Sequence, residues 1–181
     1  MRTPRIFLVV SSTFLISNLA TAAGLPPWQF GMAPEQVKNF KQFGPYKSFS
    51  NGDLETYNGI YRGHKENVQF FFRNNQLLRI GIYLGETTDR DKAIASFRRA
   101  YGILEKGYGK LTVPELHRGA GSDPLTPDVI AIGATVNAFA TGKTEVFPVT
   151  QPTGMRVSGA IARRNIAGKQ WYYIAIFFDP R

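Results

Sequence analysis

The sequence predicts an α+β domain, a two-layer sandwich with its helices packed on one face of a mainly antiparallel sheet, in the order α-β-β-β-α-β-β-β(-β). Three observations carry that expectation. Residues 68–84 put two apolar-rich runs on either side of a polar turn, with the two-residue alternation of a hairpin. Ile94, Phe97, Tyr101, Leu104 and Tyr108 recur at three and four residues, the stripe of an amphipathic helix. Residues 171–178 are apolar at odd and even positions alike, which suits a central strand buried on both faces.

Upstream, Arg2 and Arg5 precede an apolar run from Ile6 to Ile16 and the small residues Ala20-Thr21-Ala22. These are the three zones of a signal peptide cut before Ala23. The run falls short of the roughly 20 apolar residues of a spanning helix. The expected organisation is a leader at 1–22 and a single exported domain at 23–181, periplasmic or extracellular and not lipid-anchored. The chain has no cysteine, so disulfides, thiolate ligands and an acylated cysteine are excluded. Its formal charge is +9. The cations are scattered, from Lys38, Lys41 and Lys47 to Arg62, Lys65, Arg73 and Arg79, so nucleic acid is not an expected partner. An anionic envelope surface is the electrostatic alternative, with strong salt dependence.

Taken in order, residues 31–45 predict a short helix. Pro34 suits the first helical position, Gln36 stands where a capping-box side chain reaches back, and Met32 with Val37 forms a hydrophobic staple. Gly44 and Pro45 end it. Residues 53–85 predict three antiparallel strands. A three-residue loop at Asn74 to Gln76 pairs Phe72 with Leu78, Phe70 with Ile80 and Val68 with Ile82. That register gathers the apolar residues on one face. Residues 88–106 predict the longest helix, capped by Thr88 with Asp91 and closed by Gly107. A polar loop follows from Thr112 to Asp128. Alternation from Val129 to Ala140 then predicts a strand, turned by Thr141-Gly142-Lys143 into a second at 145–150. Residues 155–163 and 170–178 predict a last hairpin about Asn165 to Gly168.

Two of these segments also carry a resemblance. Gly31-Met32-Ala33-Pro34-Glu35-Gln36-Val37 at a helix start, with Phe70-Phe71-Phe72-Arg73-Asn74-Asn75-Gln76-Leu77 on a hairpin, resembles the SmpA/OmlA family. These are the small BamE-like lipoproteins of the outer-membrane β-barrel assembly machinery. The wider group is similar to the β-lactamase inhibitory protein fold, with short helices on an antiparallel sheet. The resemblance spans residues 31–84 and implies that architecture and an envelope location. The chain departs from the family in lacking the acylated cysteine and in placing Ala33 where a capping Ser or Thr is usual.

Catalytic patterns are sparse. Gly142-Lys143-Thr144 has the tail of a phosphate-binding loop, but Asn137 stands where its first glycine belongs. His64 and His117 are the two histidines; with Glu115 or Asp123 they fall short of a spaced zinc set, so no metal and no cofactor are expected. Ser122, His117 and Asp128 supply the residue types of a hydrolytic triad on the 112–128 loop, without a nucleophile elbow. The expected function is therefore a non-enzymatic, envelope-associated binding module. The alternatives are a secreted hydrolase using that loop, with His117 as base, or an inhibitor of a secreted enzyme. Tyr57, Tyr61, Tyr83, Trp171 and Tyr173 are the candidate partner-binding residues, since Tyr and Trp favour interfaces and a two-layer domain leaves one sheet face open. Arg90, Lys92, Arg98 and Arg99 form a candidate basic face on the long helix.

Overall fold

An eight-stranded antiparallel sheet organises the chain, with strand order β3-β4-β5-β6-β10-β9-β8-β7. A computed structural model describes residues 24–114, 125–135 and 142–181. The expected leader at 1–22 and the loop residues Glu115, His117, Ser122 and Asp123 lie outside the described residues. A two-stranded hairpin, β1 (Gly24–Leu25) and β2 (Trp28–Gln29), leads into α1 (Pro34–Lys38), a 3-10 turn (Lys41–Phe43) and β3 (Lys47–Ser48). Then come β4 (Leu54–Tyr61), β5 (His64–Arg73), β6 (Gln76–Thr87), α2 (Arg90–Tyr108), β7 (Leu111–Thr112), α3 (Pro127–Thr135), β8 (Lys143–Pro148), β9 (Met155–Ile166) and β10 (Lys169–Pro180). The fold is α+β and predominantly sheet.

The central position of β10 follows from its composition. Tyr172, Ile174, Ile176 and Phe178 join the main buried cluster, while Ala175 and Phe177 belong to a second, smaller one. Successive side chains of a strand point to opposite faces, so the two clusters lie on opposite sides of the sheet. The buried residues of the helices belong to the main cluster: Val37 of α1, Ala93, Phe97, Ala100 and Leu104 of α2, and Ile130, Ala131 and Ala134 of α3. Glycines let α2 approach closely. A Cβ at Gly85 would lie 2.8 Å from Cβ of Ser96, and one at Gly159 would lie 2.6 Å from Cδ1 of Leu104.

Several boundaries differ from the sequence expectation, each for a local reason. Residues 127–135 are helical, where the loop was expected to run to Asp128 and a strand to begin at Val129; residues 136–140 of that expected strand lie outside the described residues. Thr126 caps the helix, its hydroxyl accepting from the Val129 N–H at 3.2 Å, and Pro127 takes the first helical position. The alternation of Ile130, Ile132 and Ala134 masked that start signal. The helix expected at 31–45 breaks at Asn39, a residue type that favours caps over helix interiors. Gln36 does reach back as a capping-box residue, accepting from the Ala33 N–H at 2.8 Å. On α2 the cap is Asp89, which accepts from the Asp91 and Lys92 N–H groups, and Gly109 at φ 78° closes the helix two residues past Gly107.

The β5–β6 hairpin keeps the expected register except at its tip. Val68 pairs with Ile82 and Phe70 with Ile80, yet Phe72 pairs with Leu77 across a two-residue Asn74-Asn75 loop. A bulge at Leu78 absorbs the difference. Both asparagines have positive φ, as the tight loop demands. The β4–β5 and β9–β10 loops meet the same demand with Arg62-Gly63 and Ala167-Gly168. Trp28, fully buried and unremarked in the sequence reading, packs edge-on to Phe70 at 4.9 Å and against Phe43 at 4.8 Å. It ties the N-terminal hairpin to the main core.

Two variants check this description. Ala167→Asn is expected to stabilise the domain by about 0.5–1 kcal/mol, because Asn tolerates the left-handed conformation that Ala resists. Gly59→Ala is expected to destabilise it by about 1–3 kcal/mol through overpacking, since the new Cβ would fall 2.1 Å from Cγ2 of Val68. Denaturant titration reads both.

Candidate functional site

The face opposite the helices carries a groove of about 460 Å³. Its floor is small: Ala160 and Ala162 of β9 and Ala175 of β10. Its walls are aromatic: Phe71 of β5, Tyr83 of β6, and Tyr173 and Phe177 of β10. The polar lining is Gln69, Arg79, Glu86, Lys143 and Arg164. Solvent-facing sides of antiparallel sheets are normally polar; this one is apolar at its centre.

Cross-strand geometry builds the groove. Ala175 pairs with Ala160 and Tyr173 with Ala162, so three alanines adjoin on one face and leave room above them. Gly81 is required beside them, because a Cβ there would meet Phe177 at 3.0 Å and Tyr83 at 3.2 Å. Tyr83 stands perpendicular to Phe177 with ring centroids 6.2 Å apart, and Phe71 meets the same ring edge-on at 6.5 Å. Two cations lie over the Phe177 ring, Arg79 at 4.9 Å and Lys143 at 5.6 Å, both within cation–π range. Each cation has a carboxylate of its own. Arg79 donates to both oxygens of Asp179, at 2.6 and 3.1 Å, and Lys143 pairs with Glu145 at 2.9 Å. Arg164 makes no salt bridge with a described residue and is exposed. A bulge at Leu84 brings Glu86 onto the same face as Tyr83, opposite Tyr173. Beyond the groove, Glu55 is only 4% exposed and accepts from the side-chain amides of Asn67 and Gln69 at 2.9 and 3.0 Å.

The five expected aromatic residues divide. Tyr83 and Tyr173 line the groove. Trp171 shares their face by alternation along β10 and pairs across to Arg164. Tyr57 is 63% exposed and sits near the Glu55 and Glu86 carboxylates. Tyr61 does not belong with them: it is 6% exposed and packs edge-on against Phe178 in the main core. Tyr57 and Tyr61 have the same parity in sequence, but the β4 register shifts between Thr56 and Gly59. That bulge sends the rest of the strand to the opposite face.

The expected basic helix face is largely tied down. Arg98 pairs with Asp128 at 2.8 Å, Arg90 donates to the Thr135 hydroxyl at 3.0 Å, and Lys92 lies 4.0 Å from its own cap, Asp89. Arg99 instead bonds Glu66 of β5, away from the other three partners. Asp128, considered above for a triad, opens α3 and is held by Arg98. Gly142-Lys143 opens β8, with Gly142 at φ 64° and its carbonyl accepting from the Arg163 N–H at 2.7 Å, a turn rather than a phosphate loop. Among the described residues no group of three or more His, Asp or Glu is placed to hold a metal ion, and no helix is long and apolar enough to cross a membrane.

Burial is the main cause that pushes the Tyr83 phenol above its ordinary pKa of 10.0, with Glu86 and Glu55 adding to the rise and Arg164 and Arg79 opposing it. Tyr173 is raised by burial and then by Glu86, against Arg164. Tyr61 is raised by burial, partly offset by Arg62. No protein-family model matches the chain, and no curated protein or solved structure matches it.

These shifts fix a sign. A phenol whose pKa is higher in the folded state keeps its proton there after the unfolded chain has lost it, so stability declines as pH rises above about 10. Stability measured by urea titration is expected to fall with pH above that value. The fall is expected to be shallower in Tyr61→Phe and Tyr83→Phe.

Proposed function

We propose that this chain is an exported, non-enzymatic binding domain whose helices form one layer, leaving the opposite sheet face to a protein partner. The partner seats an apolar side chain on the alanine floor between Tyr83, Tyr173 and Phe177 and presents acidic groups around it. The observation that carries this reading is the groove itself. Seven of its lining residues are alanine or aromatic, on a sheet face that no described helix covers. A packed apolar face in water is unfavourable by roughly 25 cal/mol per Å² until something covers it, and contiguous apolar patches mark interaction sites.

Charge argues for an acidic partner. Arg79 and Lys143 are already paired, but Arg164 is free to meet a carboxylate, and the chain as a whole carries +9. Such a field speeds encounter and sets orientation more than it adds affinity. Affinity would rest on the aromatic walls, as hot spots usually do on Tyr and Arg. The resemblance to BamE-like envelope proteins agrees with this reading through fold and location, and supplies no binding residue.

Capture from envelope extract by the tagged chain tests it. Tyr173→Ala and Ala162→Glu are each expected to weaken partner retention about tenfold or more while leaving the thermal midpoint unchanged. Tyr61→Ala is expected instead to destabilise the fold by about 3–5 kcal/mol, as a core aromatic truncation does. Retention unaffected by the first two variants, or abolished by salt alone, would remove the groove from the function.

A further inference from the structure

We infer that a compact oxyanion, a phosphate or phosphomonoester group, binds in a second cleft on the helix side of the sheet. The β4–β5 turn there crosses the C-terminal half of α2. The cleft measures about 430 Å³ and is lined by Tyr61, Arg62, His64, Arg99, Gly102 and Lys106, with Ile103 beside them. Its basic groups arrive from three elements: Arg62 from the turn, His64 from the start of β5, and Arg99 and Lys106 from one face of α2, seven residues apart. Among the described residues, the only acid bonded within it is Glu66, which Arg99 already engages. Arg62, His64 and Lys106 make no salt bridge with a described residue. Like charges gathered this way repel one another unless an anion joins them. A guanidinium fork with an ammonium is the donor set that matches phosphate oxygens.

A second observation is independent of charge. The buried hydroxyl of Tyr61, a residue that lines this cleft, lies near the Arg62 guanidinium, which also sits over its ring at 5.9 Å, yet it makes no hydrogen bond of ordinary geometry. Buried polar groups in folded chains are nearly always bonded, so this hydroxyl is left short of full satisfaction at the cleft wall.

The third observation is a set of locally unfavourable choices that converge. Arg62 has φ 48°, a left-handed conformation where Asn or Gly is the usual occupant. Its guanidinium lies against α2 at Gly107, and a Cβ on Gly107 would fall 2.1 Å from Nη2 of Arg62. Gly102, another helix-interior glycine on the lining, faces open space with no atom within 4 Å of a Cβ. Glycine disfavours helix interiors, and here two of them make room at one place. Attraction of cations to the carbonyl end of a helix accounts for Arg62 and Lys106. It leaves His64 and the open space beside Gly102 without an account.

Calorimetric titration of the full chain tests the cleft with three probes: inorganic phosphate, glycerol 3-phosphate, and phosphatidylcholine vesicles with and without phosphatidic acid. Arg62→Asn keeps the left-handed turn, and Lys106→Gln keeps helix propensity, so both are expected to fold. Each is expected to weaken saturable binding about tenfold or more, the effect of removing one charge-assisted contact. Arg73→Gln, a cation on the β5 end away from the cleft, is expected to leave it unchanged. Saturation by free phosphate or glycerol 3-phosphate assigns a soluble source; saturation only by phosphatidic acid vesicles assigns a lipid headgroup, and either supports the cleft. No saturable binding with any probe, or equal weakening in Arg73→Gln, overturns it. Partner capture through the groove is read separately, so either proposal can fail alone.

Discussion

Everything in this fold hangs on β10, a strand that is apolar on both sides. Its even-numbered residues, Tyr172 to Phe178, supply the floor on which α2 lies, and its odd-numbered residues supply the groove. One run of sequence therefore satisfies two environments at once. The helix side is closed by large aliphatic and aromatic side chains from α2, β5 and β6, each worth about 1.5–3 kcal/mol of burial. The other side is left with aromatic rings propped by cations and small residues beneath them. A change on β10 that repacks one face is constrained by the other, because the backbone between them cannot move for one without the other.

Bulges decide which residues share a face. Three of the sheet's pairings shift register, at Tyr57–Asn58, Leu78 and Leu84. The first carries Tyr61 away from Tyr57 and into the core. The third brings Glu86 beside Tyr83 and Tyr173. Without the insertion at Leu84, Glu86 would fall on the opposite side of the sheet from Tyr83. Gly59 fixes the first bulge sterically, since any side chain there meets Val68.

This explains what the sequence disclosed and what it withheld. The hairpins, α2 and the central strand were legible because their periodicity spans many residues and each register error would expose a whole apolar face. The strand positions of Tyr83, Trp171 and Tyr173 were legible for the same reason, each lying on a long strand. The face of Tyr61 was not, because parity counting cannot see an extra residue in a strand. Residues 129–135 read as a strand because alternating Ile and Ala satisfies both periods over so short a run; Thr126-Pro127 is the signal that separates the two. The Arg62 cleft left no trace in the linear sequence. Its residues come from a turn, a strand start and a helix, and only the crossing of those elements gathers them.

The two-residue length of β3 and β7 has a consequence for how this protein meets others of its kind. A wide sheet ending in long straight margins is a template on which further chains can polymerise, strand by strand. Here both outermost strands are stubs, and the margin of β4 that β3 leaves uncovered is kinked by its bulge. Along β4, sideways growth has no straight track to follow. A partner of the kind proposed above would come to this sheet broadside, as a key laid on a palm, rather than by adding a strand along the β4 margin.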